Sequence, residues 1–459
     1  MLSHTKKALS LLAILIPAAA LWAQSSSGEL PRPATMEQCV QYAIEHNISI
    51  NQAQMNTELA KVDKTDAIGA FLPSAGLSSN YNFSKGFSFD ANTNQRTNRE
   101  QQTMSLSVST QLNLFNGLKD LNSLRRARLE YASQRYNSEK ILNDVSLNVV
   151  SAYISILAAL EYQKVAQSQY ELSKMQVERL ETLYKAGKNS LGDLYEVQAT
   201  LARDEQALVA ANNQVDLAYL SLKQLLALDL TYDLQIDTLG YDQVSLSPLM
   251  STSTVEIYRS AEANLPEMRK ARNDIEVSRR SLAIARGSYL PTLSASYGWG
   301  DSFIFDYLNP STGAPITVGE QWDNNSRHSI GVSLSIPIFN RLSTYNAVSR
   351  SKINLEVARL NLQQAQLELQ QSVEKAYSDA VSSYKSYLAA VKAVESSREA
   401  LRYATEKFEV GKISSFDYET AKNLLLKSQG DMLSAKYDYL FKVKLLEFYQ
   451  TQKITYGQR

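Results

Sequence analysis

"LYKAGKNSLGDLYE" (residues 183–196) and "KFEVGKISSFDYET" (residues 407–420) are two versions of one turn. Gly187 and Lys188 in the first correspond to Gly411 and Lys412 in the second, and an aspartate follows each glycine at the same spacing, Asp193 and Asp417. Glycine ends a helix in the left-handed conformation without a Cβ penalty. Ser190 with Asp193, like Ser414 with Asp417, is the S-x-x-D signature of a new helix start. Each stretch predicts the tight turn of an antiparallel helix pair. Its recurrence predicts a chain built from two copies of one unit.

The segments leading into both turns, residues 118–184 and 345–408, are free of proline. Read as one continuous helix at ~1.5 Å per residue, the first would extend roughly 100 Å. Apolar or small residues recur there at three-and-four spacing: Leu142, Val145, Val149, Ala152, Ile156 and Ala159. A second seam, Val150, Tyr153, Leu157 and Leu160, runs one residue along. The later segment repeats this, with Val373, Ala376, Ala380, Tyr387 and Val394 beside Tyr377, Val381, Tyr384, Leu388 and Val391. One seam suits a two-stranded coiled coil; two adjacent seams predict helices packed on both sides. On periodicity alone, a tube of helices and a solid bundle fit equally.

Upstream of each long helix come two stretches of strict alternation, expected as strands at about 73–84, 103–115, 290–302 and 328–339. Leu77, Tyr81 and Phe83 face away from Ser78, Asn80 and Asn82; Ile330, Val332 and Leu334 face away from Ser329, Gly331 and Ser333. Small, nearly uncharged polar faces opposite apolar ones, with long polar connections between paired strands, match membrane barrel strands. Four strands cannot close a barrel, since the smallest have about eight, and open edges in lipid leave backbone groups unsatisfied. A shared barrel, hence an oligomer, follows from the strand count.

The predicted order is a leader at 1–23, a first repeat at 24–228, a linker at 229–252, a second repeat at 253–448 and a tail at 449–459. The leader reading rests on Lys6 and Lys7, an apolar run and small residues before Gln24. Within each repeat come a helix, a β-hairpin and a long helical hairpin (about 117–228 and 341–448). Leu72-Pro73 answers Leu290-Pro291, and Phe115-Asn116 answers Phe339-Asn340. After the leader, no apolar run reaches the length of about 18 residues that a membrane-spanning helix needs, so none is expected.

These features together resemble the TolC family of outer-membrane efflux channels. The resemblance covers about residues 35–448 and rests on the tandem order, the "AIEHN" helix, the "LSIPIFN" strand end and both glycine-to-aspartate turns. It implies a mostly α fold with a membrane β-barrel portion: a homotrimer sharing a twelve-strand barrel and a helical tunnel across the periplasm. It implies an exit duct in the outer membrane of a Gram-negative bacterium, serving a tripartite pump or a type I secretion system. The implied partners are outer-membrane lipid, a periplasmic adaptor and, through it, an inner-membrane pump. Gly187, Lys188, Gly411 and Lys412 are the implied docking tips. Asp417 would line the closed entrance, with Asp193 a weaker candidate; both equally suit helix capping. Thr420 stands where the family places a further acid, which leaves Tyr418 as an alternative gate.

Other chemistries find little purchase. Lys plus Arg and Asp plus Glu are both 47. That balance removes the electrostatic footprint of a nucleic-acid binder. His46 and His328 have no ligand cluster nearby, no G-x-S-x-G turn occurs, and "GWGDSF" lacks the glycines of a dinucleotide loop. Neither catalysis nor a cofactor or metal is expected. Cys39 is the chain's one cysteine and reads as a buried thiol. A periplasmic coiled-coil adaptor or scaffold is the alternative, though it has no use for apolar-faced hairpins.

Overall fold

The computed structural model describes residues 30–90, 95–239, 245–305, 309 and 312–452. The leader and most of the tail lie outside them. Two short helices, α1 (Met36–His46) and α2 (Ile48–Gly69), lead into strands β1 (Ser74–Asp90) and β2 (Gln95–Asn116). Then come α3 (Lys119–Lys185) and its return helix α4 (Leu191–Leu225). The second half follows as α5 (Thr254–Asn264), α6 (Pro266–Gly287), β3 (Thr292–Ile304), α7 (Val318–Asn325), β4 (Arg327–Ser335), α8 (Ser343–Glu409) and α9 (Ser415–Thr451). Both long helices have 67 residues. The offset from the start of α1 to that of α5 recurs unchanged from α2 to α6 and from β1 to β3, and the offset from α3 to α8 recurs from α4 to α9. Leu118 and Leu342, before the two long helices, share the same left-handed backbone, at φ 59° and 62°.

The strands form one antiparallel sheet in the order β1-β2-β3-β4. The first hairpin is longer than its sequence predicts. Pairing continues from Lys85 opposite Glu100 out to Asp90 opposite Gln95, through residues whose polarity suggested a loop. Conversely, β4 ends at Ser335. Pro337 stands just beyond and has no N–H to extend a ladder. A bulge between Asn113 and Phe115 places Phe115, not Leu114, opposite Leu293. The long second connection contains α7, which sequence patterning did not suggest.

The main core lies where α1 and α5 meet the middles of the long helices. Val149, Tyr153 and Ile156 of α3 and Val373, Ala376 and Ala380 of α8 pack there with Cys39 and Leu446. An 18-residue window of α3 is long and apolar enough to cross a bilayer, with mean hydropathy 1.5. Much of that apolarity is spent on this core, to which α3 contributes its longest run of buried residues. The predicted linker is tied in by tyrosines. Tyr153 donates to the Asp237 carbonyl (2.6 Å), Tyr377 to the Met250 carbonyl (2.8 Å) and Tyr439 to the Ser245 carbonyl (3.0 Å). Burial pushes the Cys39 thiol up to about 12. Such a thiol is inert.

Two apolar features are left bare. One sheet face exposes Leu77, Tyr81 and Phe83 on β1 and Ile330, Val332 and Leu334 on β4, with Ile330 85% exposed. Along the helices, Ile48, Met55, Leu59 and Val62 of α2 and Ile353, Val357, Leu360 and Leu367 of α8 are also exposed. The predicted second seam of α8 is half-covered, since Leu388 and Val391 lie at the surface.

Candidate functional site

At the far end of the helical hairpins, both turns close in the same way. Gly187 (φ +69°) and Gly411 (φ +72°) adopt the left-handed conformation. The N–H groups of Lys188 and Lys412 donate back to the carbonyls of Leu183 (2.9 Å) and Lys407 (2.8 Å). These bonds satisfy helix-end carbonyls that would otherwise be orphaned. Each following helix opens with a capping box. The Asp193 N–H donates to Ser190 Oγ (3.1 Å) while the Ser190 N–H donates to the Asp193 carboxylate (3.3 Å). In the second turn, the Asp417 N–H donates to Ser414 Oγ (3.2 Å) and the Ser414 N–H to the Asp417 carboxylate (3.3 Å).

The two turns lie side by side. Arg179 of α3 forms an ion pair with Glu409 of α8 at 2.9 Å, and the Ser415 hydroxyl donates to the Glu196 carboxylate across the two hairpins. Asp193, Lys188, Gly411 and Ser414 line one cleft of about 340 Å³ between the tips. Lys412, Asp417 and Thr420 are exposed around it. Tyr418 points inward instead: it is 4% exposed and stacks on Phe408 at 5.1 Å. Phe416, 69% exposed, and Tyr195, 62% exposed, are aromatic side chains at the tip surface.

A little further along the wall, Lys422 of α9, 2% exposed, enters the seam between α3 and α4. Its ammonium donates to Ser173 Oγ (2.5 Å) and to Asp204 (3.0 Å), and Ser173 in turn donates to Asp204. Glu419 lies 3.7 Å from the same ammonium, near enough for attraction but too far for a hydrogen bond, and its Oε2 is buried without a hydrogen-bond partner. Burial raises the Glu419 carboxyl above the usual range, against the pull of Lys422. This cluster fastens the second hairpin to the first. The sequence did offer a signal, since Asp204 falls in the buried seam of Val197, Thr200 and Ala211. On long helices whose other lysines and glutamates mostly face solvent, however, such residues read as solvated. Among the described residues, no group of three His, Cys, Asp or Glu is placed to hold a metal.

A profile of the outer membrane efflux protein family matches residues 39–228 and again 257–448. The chain belongs to that family. It is 24% identical over 375 residues to the alkaline protease secretion protein AprF of Pseudomonas aeruginosa, covering 80% of this chain and 75% of AprF. To the outer membrane protein TolC of Escherichia coli it is 22% identical over 424 residues, covering 91% of this chain and 82% of TolC. Its fold superposes on the Campylobacter jejuni CmeC outer membrane channel with a TM-score of 0.73 at 17% identity, over 91% of this chain and 87% of that one. This efflux protein is thus an outer-membrane channel of the TolC type, with its helices reaching into the periplasm. Nothing in the structure or the comparisons favours the scaffold alternative.

Proposed function

We propose that three copies of the chain, each a duplicated unit, close one twelve-strand barrel and one helical tunnel. This duct receives substrate from a periplasmic adaptor and inner-membrane pump and passes it outward without catalysis. The sheet carries the proposal: β1 and β4 are open edges, and its bare apolar face suits lipid and not water. Joining β4 of one copy to β1 of the next removes the edges, and the exposed stripes of α2 and α8 offer surface for the same contact. The name of AprF speaks of protein secretion, so a type I secretion partner is as suitable as a drug or ion pump.

The paired tips, with Gly187, Lys188, Gly411 and Lys412 at the surface, are where an adaptor would dock. In a trimer, three copies of Asp417 around the periplasmic entrance would favour cations, with Asp193 flanking them and Thr420 making the ring less acidic than one with a second carboxylate. Tyr418 would act behind this entrance, holding Phe408 in the wall. Single-channel recording in planar bilayers tests the reading. Small cation-selective steps that enlarge or lose selectivity in Asp417→Ala support duct and ring together. Unaltered steps in the variant reduce Asp417 to a helix cap, and a mature protein that stays monomeric in water without detergent overturns the duct.

A further inference from the structure

We propose that the outer end of β3 carries a binding site for an organic ammonium cation, walled by Trp299, Phe303 and Trp322 and floored by Asp301. Alternation places Trp299, Asp301 and Phe303 on the apolar face of the sheet, opposite Val108, Leu106 and Met104 of β2. Residues four apart in a strand are separated by ~13 Å. The Trp322 ring, brought in by α7, bridges that span: its centroid lies 5.4 Å from Trp299 at 54° and 5.9 Å from Phe303 at 19°. It therefore lies over Asp301, the residue between them.

The roof is held by specific bonds. Gln321 accepts from the Ile304 N–H (2.8 Å) and donates to the Ile304 carbonyl (2.9 Å), Asn325 donates to the Ser302 carbonyl (2.6 Å), and Trp299 Nε1 donates to Ser326 Oγ (2.8 Å). Beneath it, Asp301 is 4% exposed, and neither carboxylate oxygen has a hydrogen-bond partner. A buried carboxylate with no partner is costly. Among the described residues, the chain brings it no counter-charge. Arg327 stands opposite Gly300 and so projects from the other face, while His328 is engaged with Tyr297 at 3.0 Å. On the β2 side Asp301 is paired with Leu106, and the ladder to β4 ends one residue earlier, at Gly300 opposite Arg327.

The surroundings select the kind of cation. Calcium takes about six to eight oxygen ligands, whereas this site offers one carboxylate among aromatic rings. Aromatic faces attract alkylammonium groups, and a carboxylate completes the charge match. A cleft of about 760 Å³ lies against the same stretch of sheet, but Ser105, Ser107, Gly300, Ser302, Arg327 and Ser329 line it from the opposite face. On the Asp301 side a ligand enters past Trp322, which is 44% exposed. The ammonium group could belong to a lipid headgroup or to a diffusing solute. Only that choice of source rests on the barrel reading.

The molecule contains its own reporter. Of three tryptophans, Trp22 falls in the predicted leader, so Trp299 and Trp322 are the two left after its removal. Emission of the full mature oligomer in a non-ionic detergent would be titrated with tetramethylammonium chloride, then with sodium and calcium chloride at matched ionic strength. A saturable change with tetramethylammonium alone, weakened tenfold or more in Asp301→Asn, is the expected result. An absent response, an equal response in Asp301→Asn, or a response to calcium alone overturns the proposal. Circular dichroism and oligomer mass verify that the near-isosteric variant is folded. Nanodiscs of phosphatidylethanolamine against phosphatidylglycerol then separate the sources: a lipid amine shifts wild-type emission without added salt and blunts the titration. Channel conductance is a separate readout, so loss of this site leaves the duct intact.

Discussion

Lys422 and Glu419 occupy a wall of packed helices in which most neighbours are small or apolar, and their energetics are set by what each leaves behind when removed. Lys422 neutralises Asp204 and hydrogen-bonds Ser173, so Lys422→Met strands a buried carboxylate. Breaking one side of such a pair costs about 3–5 kcal/mol. Chemical denaturation should show that loss, and a Lys422→Met, Asp204→Leu double variant should recover most of it. Recovery of none would mean that the cluster does not act as a pair. Glu419 behaves oppositely. Its folded-state pKa is raised, chiefly by burial and despite Lys422, so the stability it contributes is full below the unfolded value and fades as pH climbs through the folded one. Glu419→Gln therefore melts with the wild type near pH 4 and above it at pH 8. Parallel melting curves across that range would remove Glu419 as a titrating member of the cluster.

The long elements were readable because their signals are redundant. Proline-free stretches, doubled seams and a glycine–serine–aspartate turn all pointed to two hairpins, and α3, α4, α8 and α9 lie close to their predicted bounds. The strands were readable at their alternating cores but not at their outer ends. There Phe87 and Phe89 continue the alternation of β1, but the partner residues from Gln95 to Glu100 are polar on both faces, so that half of the ladder carries no pattern. At the tips, the turn residues were legible while the Arg179–Glu409 and Lys422–Asp204 contacts were not, since each joins residues remote in sequence. Two glycines of the second hairpin sharpen the distinction between turn and helix. Gly411 needs its left-handed φ. Gly411→Ala should therefore lose about 1 kcal/mol. Gly430 sits mid-helix in α9, where an added Cβ meets Tyr162 at an ordinary 3.5 Å. Gly430→Ala should gain about 0.5–1 kcal/mol. Opposite shifts in thermal midpoint are the expected pair; shifts of the same sign would mean that one of these local accounts is wrong.

A single chain leaves both edges of its sheet and two helix faces without partners, and one operation, joining copies around an axis, resolves each. The apolar side chains of β4 project outward at alternate positions, while Ser329, Gly331, Ser333 and Ser335 face the other way. If the apolar face meets lipid, a cation placed there at mid-depth costs about 2–4 kcal/mol, and the same cation on the small-residue face costs far less. Val332→Arg and Ser333→Arg are adjacent in sequence and opposite in direction, which makes them a matched pair. Refolding into lipid vesicles under a urea gradient should show Val332→Arg with a markedly lower midpoint and a poor yield of the proposed three-chain assembly by mass in detergent. Ser333→Arg should assemble near the wild-type level and alter conductance instead. Equal damage from both would place the two faces in similar surroundings, and the sheet could not then be the wall between lipid and lumen.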